Sequence, residues 1–389
     1  MKRNLLKRIG AVALAVAVSL TMGTAAFADD TFDGQAYLGN DTISETGITT
    51  ATFHSELVAA DNTAHLPATQ ITYTLGNGTA VDYTDTNVTP NKVVHVYAGD
   101  ASTQVSITQP SAFATSEVAT ATKDVVLTFD PSKFSKPGIY RYTITSGLTD
   151  AQKALGIDIA SGDTTTKWLD LYVTRQSGNL VVSNAVMFKP TATPAYDSAN
   201  AKLDYDTTNK VDGFKYTYTT GTVTINKQVT GTLGDQTLPF DFSTALSNTN
   251  VGELKAATAA LANVSGGSIT TATTWDVGAA SPYAYTLKHG ETLTISGLPL
   301  ASVAAIAETY KNPEGYTVTY TVNGGNSTSG TEASATATNA TTVPVVFTND
   351  LSSVSPTNVV MRFAPYLFIL GAAIVLLVMM RRRKSHDAE

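Results

Sequence analysis

The sequence predicts an all-β protein: two tandem β-sandwich domains of immunoglobulin-like character, set between an N-terminal export segment and a C-terminal membrane-spanning one. Three observations carry this expectation. Short alternating or β-branched runs recur between Thr, Asn, Gly and Asp clusters along most of the 389 residues, the pattern of sandwich strands and their turns. A chain of this length points to two domains rather than one. The two ends carry apolar runs with flanking charges of the kind that direct targeting rather than folding.

Taken in order, Lys2, Arg3, Lys7 and Arg8 precede an apolar run from Ala11 to Leu20, and Ala26-Phe27-Ala28 forms a small-x-small cleavage site before Asp29-Asp30. Residues 1–28 therefore read as a cleaved signal peptide. The first domain, 29–220, contains strand-like runs at Val125–Phe129, Ile139–Ile144, Trp168–Val173 and Leu180–Phe188. In the second, 221–350, their counterparts are Thr222–Val229, Tyr285–Leu287, Leu293–Ile295, Tyr316–Val322 and Val343–Thr348. Helix is expected only at Thr149–Leu155 and Gly252–Asn263. The polar stretch Thr191–Asp212 reads as a long loop or the approach to the domain junction, which falls near 219–221. In the tail, 351–389, Phe363–Met380 gives 18 uncharged residues, just enough to span a bilayer. Arg381, Arg382, Arg383 and Lys384 follow and hold that end in the cytoplasm.

The composition excludes several functions. With no cysteine there is no disulfide framework, thiolate metal site or Cys nucleophile. Without the two processed ends the body keeps 16 basic against 30 acidic residues, a charge of about −14, which argues against nucleic acid as a partner. His54, His65, His95 and His289 fall in no ligand or catalytic spacing, so a hydrolase is disfavoured. Asp204, Asp206, Asn209 and Asp212 loosely suggest a calcium loop, but their spacing does not match an EF-hand and they read better as a polar loop. No cofactor or metal is expected.

The second domain points polar groups into its own core. In Thr222–Val229, Lys227 shares a face with Val223, Ile225 and Val229. Glu308 shares one with Ile306, and Asn349 continues the face of Val345 and Phe347. Singly, each has an ordinary reading as a solvated strand end or a turn residue. Together they form a reaction set. Burial favours a neutral, nucleophilic lysine and a protonated glutamate, while asparagine offers a carboxamide carbon and ammonia as leaving group. The product is a Lys–Asn isopeptide bond, made once by the chain on itself.

The order Lys227-Gln228-Val229-Thr230-Gly231, Pro239-Phe240-Asp241-Phe242, Leu287 through Pro299, Glu308-Thr309, Gly315-Tyr316-Thr317-Val318 and Phe347-Thr348-Asn349 resembles the isopeptide-forming domain of streptococcal-type major pilins. The resemblance implies Lys227 as nucleophile, Glu308 as acid/base and Asn349 as electrophile. It differs at Ala305-Ile306-Ala307, where the family usually has a Tyr-x-Val-Thr segment before the glutamate. The first domain resembles the N-terminal domain of the same pilins more faintly, chiefly over Phe129–Thr145. There Ser146 stands for the family's glutamate, Phe214-Lys215-Tyr216 for its Phe-x-Asn, and the reactive lysine should lie near Phe53, where none occurs. No crosslink is expected in this domain, whose core should include Tyr140, Tyr142, Ile144 and Trp168.

Ahead of the apolar tail, Val354-Ser355-Pro356-Thr357-Asn358 resembles a Gram-positive sorting signal, closest to the x-Val-Pro-Thr-Gly variant with Ser355 and Asn358 substituted. By that resemblance a sortase cleaves between Thr357 and Asn358, so the membrane holds the chain only before sorting. Lys189 and Lys210 are candidates for the lysine that accepts a neighbouring subunit. The sequence thus implies a sortase-processed, secreted cell-surface pilin of the shaft, joined to other pilin subunits or to peptidoglycan. A wall-anchored adhesin or minor pilin that binds host matrix or glycans is the alternative.

Overall fold

The computed structural model describes residues 47–352, apart from 86–90, 192–194, 198–201, 205–208, 251, 264–272, 313 and 340, together with 366, 369–370 and 372–375. The described residues divide into two compact units. One runs up to Thr219 and takes in Asn250–Leu254; the other begins at Thr220.

The first unit has two main sheets. In one, the strands lie in the order Val105–Thr108, Thr120–Phe129, Thr50–Ala59, Gly213–Tyr218, Ile157–Ile159. In the other the order is Asn179–Phe188, Thr166–Gln176, Gly138–Ser146, Lys92–Ala98, Val81–Asp85, with Tyr73–Asn77 also on Gly138–Ser146. Alternation along Thr50–Ala59 buries Phe53, Ser55, Leu57 and Ala59 on one face. Phe53 meets Tyr73 of the other sheet edge-on at 5.2 Å, and Tyr73 meets Phe214 at 4.9 Å, so aromatic side chains join the sheets. Of the expected core, Tyr140, Tyr142 and Ile144 are buried, while Trp168 is half-buried against Phe188 and its neighbours. Gly213 opens the closing strand because a Cβ there would lie 1.9 Å from the His54 carbonyl oxygen. Within the stretch expected as a loop, Ala195–Asp197 and Lys202–Asp204 pair as a two-stranded ladder.

The second unit repeats the plan. Its larger sheet has the order Thr273–Val277, Leu254–Asn263, Glu291–Pro299, Thr220–Thr230, Thr342–Asp350, Thr317–Val322, Thr328–Ser329. Its smaller sheet has the order Tyr283–Leu287, Phe240–Ser247, Val303–Glu308, Glu332–Thr336. Val223, Ile225, Phe240, Phe242, Leu293, Ile295, Ile306, Val345 and Phe347 belong to one buried core. As in the first unit, the opening and closing strands are parallel neighbours.

One expected helix forms: Asp150–Ala154, with Thr149 and Gln152 making a capping box. The other is corrected. Leu254–Asn263 is a strand, paired from Thr258↔Ser296 to Asn263↔Glu291. Its alanines favour helix locally, but propensity is a weak preference that a sheet partner overrides.

No described helix is long and apolar enough to cross a membrane. Tyr366, Ile369, Leu370 and residues 372–375 are helical, but most of the expected span 363–380 lies outside the described residues. So do residues 1–28, Thr357 and Asn358.

Candidate functional site: a buried lysine, glutamate and asparagine

The alternation of the opening strand carries Lys227 inward with Val223, Ile225 and Val229, and its side chain is 0% exposed. Parallel pairing sets Lys227 beside Phe347 and Val229 beside Asn349, which is also fully buried. Glu308 ends the strand Val303–Glu308 in the other sheet, opposite Phe242. Its backbone N–H donates to the Thr331 carbonyl.

All three side chains meet. Lys227 Nζ donates to Glu308 Oε2 at 2.9 Å, and Asn349 Nδ2 donates to Glu308 Oε1 at 2.6 Å. Asn349 Oδ1 is buried without a hydrogen-bond partner, a costly state that leaves the amide carbonyl unsatisfied. Lys227 Nζ also lies 4.2 Å from the Phe240 ring centroid and 5.7 Å from that of Phe242. Burial pushes the Lys227 amine down to about 8, against the opposing pull of Glu308. The chemistry open to this set is amide exchange. A lysine that readily becomes neutral is a nucleophile, and a carboxyl touching both partners can move a proton between them.

Among the described residues of the first unit no lysine, glutamate and asparagine meet in this way. By register, its lysine-equivalent position near Phe53 is Ser55, which pairs with Phe214 as Lys227 pairs with Phe347. It buries other charges that sequence reasoning missed. Arg141 donates to both carboxylate oxygens of Asp170, each at 2.8 Å, and the pair is almost wholly buried. Lys167 is fully buried, ion-paired with Asp163, with Nζ 5.3 Å from the Phe214 ring centroid. The signal for Lys167 was the one that marked Lys227. It alternates inward with Leu169, Leu171 and Val173.

The two other lysine candidates lie side by side. Phe188 and Lys210 form an isolated bridge, and the Lys189 backbone N–H donates to the Asn209 carbonyl. Lys189 Nζ donates to the Gly162 carbonyl at 2.5 Å. Among the described residues, no group of His, Asp and Glu is arranged to hold a metal ion; Asp206 lies outside them.

Residues 221–350 match a family model described as a domain of unknown function (DUF7601). Over 328 residues the chain is 27% identical to a pilin of Streptococcus pyogenes serotype M1, covering 82% of this chain and 85% of that protein. In fold it is similar to the crystal structure of the major pilin from Streptococcus pyogenes, with a TM-score of 0.56 and 22% identity. That match covers 78% of this chain and 99% of the other. The major pilin protein T3.2 of the same species is similar at a TM-score of 0.53 and 18% identity, covering 78% and 99%. The chain that carries the pilin-like sequence motifs is thus similar in sequence to a streptococcal pilin and in fold to streptococcal major pilins.

Proposed function

We propose that this chain is a surface pilin, a shaft subunit processed by a sortase, whose second domain seals itself with a Lys227–Asn349 isopeptide bond. The observation that carries the reading is the buried contact of Lys227, Glu308 and Asn349. Neutral Lys227 Nζ adds to Cγ of Asn349. Glu308 takes a proton from Nζ and delivers it to Nδ2, the C–N bond to Nδ2 breaks, and ammonia leaves. The event occurs once per molecule and is not turnover. The intact mass of purified 29–357 material should fall short of the sequence mass by one ammonia. Lys227→Ala, Asn349→Ala and Glu308→Ala should each restore the full mass. A wild-type chain at full mass would refute the crosslink.

Polymerisation would join the Thr357 carbonyl, released from Asn358, to a lysine of the next subunit. We take Lys189, which directly follows the strand Asn179–Phe188, as the acceptor and Lys210 as the control. Cell-wall extracts should give a ladder of SDS-resistant multimers that collapses in Lys189→Ala and persists in Lys210→Ala. A single wall-bound band of monomer size in the wild type would instead identify an adhesin or minor pilin attached once.

A further inference from the structure

The two units can be aligned through their own strand registers. In the second, Lys227 of the opening strand pairs with Phe347, Asn349 lies two residues further along the closing strand, and Glu308 pairs with Phe242 in the other sheet. In the first, Ser55 pairs with Phe214, Tyr216 lies two residues further along, and Ser146 pairs with Tyr73 in the other sheet. Ser55, Ser146 and Tyr216 thus occupy the positions of Lys227, Glu308 and Asn349, and Tyr73 that of Phe242. These side chains are joined to one another. Tyr73 donates its hydroxyl to Ser55 Oγ at 2.7 Å and lies 3.1 Å from the Tyr216 hydroxyl, which is 2.7 Å from Ser146 Oγ. Ser55 and Tyr216 are fully buried, and Tyr73 is nearly so.

We infer that the Ser55–Tyr73–Tyr216–Ser146 hydroxyl chain is a non-covalent clasp, built at the same site of the fold where the second domain carries its reactive trio. It links the opening strand, the closing strand and the opposite sheet, the three elements that Lys227, Asn349 and Glu308 link in the second unit. Tyr216 reaches the opposite sheet as Asn349 does, but through a longer side chain. One phenol therefore meets the Tyr73 hydroxyl and Ser146 together, and Tyr73 carries the chain on to Ser55. Burial raises Tyr73 to about 12 and Tyr216 further, so both stay neutral and hydrogen-bonded throughout the pH range of a living surface. The buried lysine of this unit, Lys167, lies on another strand and is occupied by Asp163, so it does not substitute for an amine at position 55.

Two experiments on the secreted 29–357 chain test the clasp. Tyr216→Phe keeps the ring and removes the central hydroxyl, leaving Ser146 without that partner. The melting transition of the first domain should drop by about 2–6 °C while that of the second stays in place. An unchanged first transition would overturn the clasp, whatever the second domain does. The other experiment rests on the crosslink reading given above and restores the trio with Ser55→Lys, Ser146→Glu and Tyr216→Asn together. The introduced amine at 55 adds to the introduced carboxamide carbon at 216, the carboxyl at 146 carries the proton across, and ammonia leaves. The variant should lose two ammonias where the wild type loses one, the second mapped by fragmentation to a 55–216 link. A folded triple variant that loses only one would refute the positional equivalence. If the triple variant does not fold, Tyr216→Phe and Ser146→Ala decide alone, both being expected to lower the first transition. A wild type that loses no ammonia would sink the crosslink reading and leave the Tyr216→Phe result standing on its own.

Discussion

Lys227 sits within an inward apolar run, between Ile225 and Val229, and its side chain is fully buried. Its protonated form is penalised by burial and only partly rescued by Glu308, which moves it from 10.5 to about 8. Where the bond cannot form, as in Asn349→Ala, this becomes a pH-dependent cost. Below about pH 8 the lysine is protonated in both folded and unfolded chains, and the full penalty applies. Between about 8 and 10.5 the unfolded chain holds a proton that the folded chain has released, so stability rises with pH. The gain across that window is about 3 kcal/mol. Urea midpoints of Asn349→Ala, taken as a difference from the crosslinked wild type, should climb from pH 8 to 10.5. A flat or falling difference would refute the assignment of a buried, depressed lysine. The trio was legible because a strand has a period of two and each of its members breaks an apolar face. Lys167 breaks a face in the same way but was passed over, because no glutamate and asparagine on other strands completed a reaction with it.

At the scale of elements, alternation marked the central strands well and the Ala-rich 254–263 segment badly. What decides that segment is the neighbouring strand Glu291–Pro299, a contact between residues far apart in sequence that no local pattern records. The same limit hid the Arg141–Asp170 pair. Each residue lies on a recognisable strand, but only the pairing of Gly138–Ser146 with Thr166–Gln176 sets them opposite one another. The Arg141 guanidinium also lies over the Trp168 and Phe188 rings, at 4.5 and 5.1 Å from their centroids. Asp170→Ala would strand that cation inside the sheet and should destabilise the first domain by about 3–5 kcal/mol. Replacing both partners with apolar residues should recover most of the loss. Thermal unfolding of the single and double variants would separate a required pair from a tolerated one. Gly231 shows the turn-level constraint. It has φ +88° and a Cβ there would lie 2.4 Å from Leu351, so the chain can leave the opening strand there only as glycine.

For the whole molecule, the proposed bond closes a loop of 122 residues, 349 minus 227. By the loop-entropy relation for a crosslink of that span, its loss in Asn349→Ala should lower second-domain stability by about 4–5 kcal/mol, readable in chemical denaturation. The meeting of Lys227, Glu308 and Asn349 could be read from sequence because it depends on strand patterning. The hydroxyl chain of the first domain was legible only in part: Ser146 and Tyr216 stand where the resemblance places a glutamate and an asparagine, but Ser55 and Tyr73 join them only through register.

The position of Lys189 at the end of the strand Asn179–Phe188 has a mechanical consequence. In a shaft joined through Lys189 and Thr357, tension would enter the main chain at residue 189 and run to 227. It would then cross the amide to 349 and leave at 357. Residues before 189 and between 228 and 348 would carry none of it. Most of the first domain would hang from the fibre as a side branch, with the strands Ala195–Asp197, Lys202–Asp204 and Gly213–Tyr218 on the tensioned line. Such a fibre would yield, at most, the slack between 189 and 220, on the order of 110 Å when fully drawn out. The hydroxyl of Tyr216, lying on that strand, would be among the contacts that must give before this slack is released.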